Sequence, residues 1–230
     1  MNYNTINYYE DSGITTIKLN RQDRFNAFNS EMRSELLGAL NYASKDDNCR
    51  VIVLTAEGKA FSAGQDLKDI EGEVDFVDIL KNEYNPLIKC MRELSKPIIG
   101  RINGVAAGAG CSIALACDFI VADFKASFVE AFVSIGLVLD SGSSYFLPRL
   151  VGSARAFELA TMGNKLTAEQ ALDWGMINRC VPSESLDDEV QKIALFYANA
   201  PTKAIGMMKK MLNDSLHANL NEVLEYETKF

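Results

Sequence analysis

One histidine and one tryptophan are found in 230 residues. The histidine, His217, sits in a polar helical stretch near the C-terminus. That argues against a metal centre of the usual histidine-rich kind and against a histidine-dependent serine or cysteine triad. Proton chemistry then falls to a carboxylate, Tyr, Cys or Lys. Cysteine is sparse as well: five in all, an odd number without a C-x-x-C pair, which reads as reduced thiols in a cytoplasmic protein. No apolar run reaches the ~18 residues of a membrane span. The start, Met1-Asn-Tyr-Asn-Thr5, has neither the basic nor the apolar region of a secretory signal. Positive charge is in deficit, 23 Lys and Arg against 31 Asp and Glu, a net charge of −8. This argues against nucleic acid or an anionic membrane as the main partner, while local contact with a phosphorylated ligand stays open.

What is present is a core. Hydrophobic residues make up 48% of the chain, enough for one domain of ordinary size or one with a small appendage. The most informative stretch is Lys96 to Cys111. Ile98 to Ile102 suits a buried strand, Asn103-Gly104 a turn, and Ala106, Ala107, Gly108, Ala109 and Gly110 are the smallest residues available. A helix through Ile113 to Ala116 completes a strand, glycine turn and helix. Such a run fits close helix packing, and it also lets a ligand approach bare main-chain N–H groups able to hold an oxygen that becomes negative. Its spacing does not match G-x-G-x-x-G, so a dinucleotide fold gains nothing from it.

Along the chain, Asn4–Tyr9 and Ile14–Leu19 predict a hairpin with Gly13 at the turn. Ser30 is expected to cap a helix with Met32, Leu36, Leu37, Leu40 and Ala43 on one face. Val51–Thr55 is a solid apolar strand, whose two faces both need cover; this implies a parallel, helix-flanked sheet. The acidic segment from Asp69 to Asp78 is expected to be mobile, and a helix from about Val77 to Leu94 to end before Pro97. Phe119–Ala122 predicts another strand, and Gly136–Gly142 a loop. Thr167-Ala-Glu-Gln170 is a capping box for a helix stopped by Gly175. Helices are expected over Leu186–Asn199, Thr202–Asn213 and from Leu220 onward. The fold class is α/β.

Two motifs, Phe61-Ser-Ala-Gly-Gln-Asp-Leu67 and Asn103-Gly-Val-Ala-Ala-Gly-Ala-Gly110, stand together with Asn20-Arg-x5-Asn-Ala-x-Asn29 and Gly136-x3-Asp-x-Gly142. In that combination the chain resembles the crotonase (enoyl-CoA hydratase/isomerase) superfamily from about Tyr3 to Phe230. Gly136-Leu-Val-Leu-Asp-Ser-Gly142 and Leu147-Pro-Arg-Leu-Val-Gly152 look most like its 1,2-epoxyphenylacetyl-CoA isomerase branch. The resemblance implies a ββα spiral over residues 1–185 and a helical, trimerising region over 186–230 that is shorter than usual. It also implies a homotrimer or hexamer and an acyl-CoA thioester substrate, with no separate cofactor and no metal. By the same resemblance the Gln65 and Ala109 amides form an oxyanion hole. Phe25, Ala27, Ala63, Gly64, Asp66, Leu67, Lys68, Gly108 and Phe132 contact coenzyme A or its acyl group.

The departures narrow the chemistry. Hydratase members carry two glutamates at positions that are Ser112 and Phe132 here, and neither residue transfers a proton at neutral pH. The acid in reach is Asp140, among Leu137, Val138 and Leu139, where its charged form is disfavoured and its basicity raised. Alone, Asp140-Ser-Gly142 reads first as a cap for the helix that begins near Ser143. With the resemblance, the expected function is a double-bond shift in an enoyl-CoA, with Asp140 as the single shuttle. Other CoA-thioester chemistry (dehalogenation, decarboxylation, ring formation) and a non-catalytic CoA-binding scaffold are the alternatives. Arg24 and Lys68 fit solvated surface charges and also coenzyme phosphates. Tyr145 is a candidate wall of the acyl pocket.

Overall fold

The computed structural model describes residues 3–70 and 76–229. Half of the acidic stretch expected to be mobile, residues 71–75, lies outside the described residues. In chain order the elements are β1 (Ile6–Asp11), β2 (Ile14–Leu19), α1 (Ser30–Lys45), β3 (Val51–Ala56), β4 (Ala60–Ser62), α2 (Phe76–Ile79) and α3 (Asn85–Glu93). Then come β5 (Ile98–Ile102), β6 (Val105–Ala107), α4 (Ala109–Leu115), β7 (Phe119–Asp123) and β8 (Ser127–Val129). The remainder is α5 (Ser143–Val151), α6 (Ser153–Met162), β9 (Leu166–Thr167), α7 (Ala168–Asp173), β10 (Arg179–Val181), α8 (Leu186–Asn199), α9 (Thr202–Ser215) and α10 (Leu220–Glu227). A π-turn, Leu80–Tyr84, joins α2 to α3, so the helix expected from Val77 is continuous but wound wide at its centre.

The strands form two sheets. One runs β1-β2-β3-β5-β7-β10, and the other β4-β6-β8-β9. Within the first, β2, β3, β5, β7 and β10 are parallel; within the second, so are β4, β6 and β8. Three successive turns of chain (β3-β4, β5-β6, β7-β8) therefore place one strand in each sheet before a helix returns. This is the ββα spiral expected above.

The second sheet corrects one expectation. The small residues after Asn103 do not pass straight from turn to helix; Val105–Ala107 is a strand, paired with β4 and β8. Two alanines suffice there because the neighbouring backbone is very close. A Cβ on Gly104 would lie 2.1 Å from the Lys59 carbonyl oxygen. The cap of α1 is also different: the Asn29 side chain accepts from Met32 N–H at 2.9 Å, and Ser30 is the first helical residue.

All six residues of β3 are buried, since both faces of the first sheet are covered. On one side Ile17, Ile52, Leu54 and Ile98 pack with Met32, Leu36 and Leu40 of α1 and with Leu87 and Met91 of α3. On the other, Ile14, Val51, Val53, Ile99 and Val121 meet Leu186, Val190, Ala194 and Ala198 along α8. The five cysteines are free thiols.

Helix α9 is fastened by charge. Lys209 is buried, and its Nζ donates to Asp118 Oδ2 at 2.6 Å and to the Met91 carbonyl at 2.8 Å. Arg92 donates to the other Asp118 oxygen at 3.3 Å and to Asn213. Removing the carboxylate strands a buried cation, a loss of about 3 kcal/mol or more. Asp118→Ala is therefore expected to lower the urea midpoint clearly, whereas replacing the exposed pair Lys210–Asp214 changes it little.

Candidate functional site

The two motif loops meet at one place. Gly64, with φ +92°, approaches the second motif so closely that a Cβ would lie 2.7 Å from the Ala107 carbonyl oxygen and 3.4 Å from the Ala109 nitrogen. Residues 26–28 run beside the first motif. Phe28 N–H donates to the Gly64 carbonyl at 2.7 Å, and Asp66 N–H donates to the Phe28 carbonyl at 2.9 Å. In such a parallel bridge, whose centre is Gln65, the intervening N–H points away from the partner strand. Neither the Gln65 nor the Ala109 N–H donates to a protein acceptor among the described residues. Two peptide donors are thus left free side by side.

They open into a cavity of about 210 Å³. Ala63, Gly64, Gln65, Gly108 and Ala109 line one wall; Leu67, Ile79, Leu80, Phe132, Ile135 and Leu137 make the rest largely apolar. Among the described residues, Asp140 is the carboxyl on that lining. Burial raises its pKa, with a smaller opposing pull from the adjacent Ser141 hydroxyl, and its Oδ1 has no hydrogen-bond partner among the described residues. The capping alternative is settled by geometry. Helix α5 has Gly142 as its N-cap without a side-chain bond, and Asp140 meets it through its carbonyl, which accepts from Ser143 N–H at 3.0 Å. The Asp140 carboxyl is left for the cavity.

The Gln65 side chain is held by residues the sequence reading passed over, and one of them, Tyr84, also lines the cavity. Gln65 Oε1 accepts from Arg33 Nη1 and from the Tyr84 hydroxyl, both at 2.7 Å. Arg33 is 1% exposed, and its guanidinium also reaches Glu83 at 2.7 Å and the Phe28 carbonyl at 3.1 Å. Burial pushes the Tyr84 pKa well up, so its hydroxyl remains a donor. A cation on the apolar face of α1, one residue after Met32, was the available signal for Arg33.

The other expected contacts are more peripheral. Phe25 is exposed with φ +49°, Ala27 is buried, and Lys68 is exposed; none of the three lines the cavity. Phe25 is nevertheless tied to the lining, since Ala63 N–H donates to its carbonyl at 3.0 Å. Asp66 ties its loop to Arg21. Despite the opposing effect of burial, the Arg21 guanidinium at 3.0 Å and the Lys68 N–H at 3.1 Å hold its carboxyl below the ordinary range. Arg24 lies beside Asp23 at 3.5 Å. Tyr145 is not a wall of this cavity: its hydroxyl lies 3.1 Å from His217 Nε2, in a separate groove against α9. His217 itself follows α9 in a turn rather than lying within a helix.

The Enoyl-CoA hydratase/isomerase family model matches residues 9–230. The chain belongs to that family. It is 40% identical over 225 residues to 1,2-epoxyphenylacetyl-CoA isomerase of Escherichia coli K12, covering 96% of this chain and 86% of that protein. It is 35% identical to 4-chlorobenzoyl coenzyme A dehalogenase-2 of an Arthrobacter species, covering 94% and 80%. A solved enoyl-CoA hydratase from Mycobacterium smegmatis superposes with a TM-score of 0.93 at 29% identity, covering 98% of this chain and 89% of that one. Enoyl-CoA hydratase/isomerase relatives thus differ in reaction while sharing this fold, and family membership alone does not choose among isomerisation, hydration and dehalogenation. The choice rests on the side chains at the cavity. Among the described residues, no helix is long and apolar enough to cross a membrane.

Proposed function

We propose that the protein is an acyl-CoA isomerase that moves a double bond, or rearranges an epoxide, beside a thioester. The observation that carries this reading is one cavity whose described lining holds two free peptide N–H groups and a single carboxyl among mainly apolar side chains. The thioester carbonyl oxygen rests against the Gln65 and Ala109 amides, which strengthen their hold as an enolate or dienolate develops. Asp140, made more basic by its surroundings, removes a proton from the carbon chain and returns it two carbons away. Electrons flow from the broken C–H bond into the conjugated system and back, so no co-reactant is consumed. Leu67, Phe132, Ile135 and Leu137 give the acyl chain an apolar surface to lie against.

Addition of water asks for a second acid or base facing the same space. The two glutamate positions of hydratase members are Ser112, which is buried in α4, and Phe132, an apolar wall. Coenzyme A enters as part of the substrate, with Phe25, Ala27, Asp66 and Lys68, which lie off the cavity lining, as its contacts. Assembly as a trimer or pair of trimers belongs to the same proposal. The test is turnover of a 3-enoyl-CoA to its conjugated 2-enoyl isomer, read by the absorbance of the conjugated thioester. Binding of the acyl-CoA without turnover of 3-enoyl, 2-enoyl or epoxide substrates would replace this reading with that of a CoA-binding scaffold.

A further inference from the structure

A second carboxyl lies just behind the cavity. Glu130 follows β8, is 2% exposed, and packs among Cys111, Leu147, Leu159 and Leu166 rather than on the cavity lining. Ser143 Oγ donates to its Oε1 at 3.2 Å, while Oε2 has no partner among the described residues. The contact continues inward. The Ser143 and Ser112 hydroxyls lie 2.7 Å apart, and Ser112 Oγ, with one proton to share, lies within hydrogen-bonding distance of the carbonyls of Asp140 at 3.2 Å and Gly108 at 3.3 Å. A buried acid is therefore joined, through two hydroxyls, to the residue bearing the cavity's carboxyl and to the residue preceding Ala109.

A half-satisfied buried carboxyl costs stability, and an apolar residue of similar size would fill the space without that cost. The Cys111 thiol from α4 lines the same space as Glu130, α5 presents the Ser143 hydroxyl, and the charge of Asp140, in the loop before α5, is felt from the neighbouring cavity. Burial lifts the Glu130 pKa to about 7; the Cys111 and Ser143 contacts pull it down, and the Asp140 charge pushes it up.

We propose that Glu130 is a positioning residue for Asp140: through Ser143 and Ser112 it holds the peptide carrying the Asp140 carboxyl, and its own ionisation alters the proton affinity of that carboxyl. The proposal rests on Asp140 as the proton carrier. While Glu130 is neutral, Asp140 ionises alone. Once Glu130 ionises, the second negative charge disfavours the Asp140 carboxylate, so the two titrate as a coupled pair.

The experiment is the pH profile of kcat/KM for the wild type, Glu130→Gln and Ser143→Ala, with urea midpoints measured on the same samples. The wild type is expected to show two ionisations, and Glu130→Gln to lose the one nearer neutrality. Ser143→Ala, which removes a hydrogen bond favouring the carboxylate, is expected to move that ionisation to higher pH. The urea midpoint gives a readout independent of turnover. A carboxyl whose folded pKa is raised contributes stability below its unfolded pKa and loses it as pH rises through the folded value. The wild-type midpoint therefore falls between about pH 5 and about pH 8, and that of Glu130→Gln falls less. Superimposable activity profiles for wild type and Glu130→Gln overturn the proposal, as does an unshifted limb in Ser143→Ala. If Asp140→Asn keeps wild-type turnover, the reading of Asp140 has failed instead, and the stability midpoints still report on Glu130 separately.

Discussion

Asp140→Asn is expected to lower kcat for a 3-enoyl-CoA by about 10²–10⁴-fold, the usual contribution of a positioned acid–base group. The amide has nearly the size of the carboxyl and keeps the Asp140 carbonyl available to Ser112 and Ser143, so the loop stays in place. What it removes is the lone pair that takes the proton. KM is expected to change little, because the acyl group is held by apolar walls and the thioester by peptide donors. In the wild type, burial disfavours the ionised form, so the acid limb of kcat/KM lies above the ordinary aspartate range. Activity rises as pH increases through that limb, since the ionised carboxyl is the base. The asparagine variant loses this limb together with the activity.

Gly64→Ala is expected to cost about 10²–10³ in kcat while the protein still folds, as loss of an oxyanion donor does. The reason is local. Gly64 has φ +92°, and an added Cβ would lie 2.7 Å from the Ala107 carbonyl oxygen, which β6 holds in the second sheet. Neither strand can yield easily. Gln65 is also clamped by Arg33 and Tyr84, so the displacement falls on the peptide between residues 64 and 65. That peptide carries the donor. Acyl-CoA binding measured by calorimetry is expected to persist, separating a lost transition-state contact from a lost site.

Long elements with one strong physical requirement were legible in the sequence. Helix α8 begins and ends where Leu186 and Asn199 predict, and β3 is buried on both faces as its unbroken apolar run demands. The capping box at Thr167 forms with both of its hydrogen bonds. Short elements were not legible, because tertiary pairing makes them. Ala106 and Ala107 have no strand propensity of their own, and β6 exists because β4 and β8 flank it. The same limit applies to the site. Asp140 stood out as a charge among aliphatic residues, and the free amides followed from motif resemblance. Arg33 and Glu130 carried the same kind of signal, a charge within an apolar pattern. Their partners, Gln65 and Ser143, lie 32 and 13 residues away, distances that periodicity does not bridge.

With Asp140 as the single carboxyl on the cavity lining among the described residues, hydration of a 2-enoyl-CoA is expected to be absent. Purified protein should be given a 3-enoyl-CoA and, separately, the matching 2-enoyl-CoA, and the products separated by chromatography with mass detection. The account predicts that the first substrate equilibrates with the second and that neither gains the mass of water. Rapid formation of a 3-hydroxyacyl-CoA from the 2-enoyl substrate, with no shift of the 3-enoyl double bond, would contradict it.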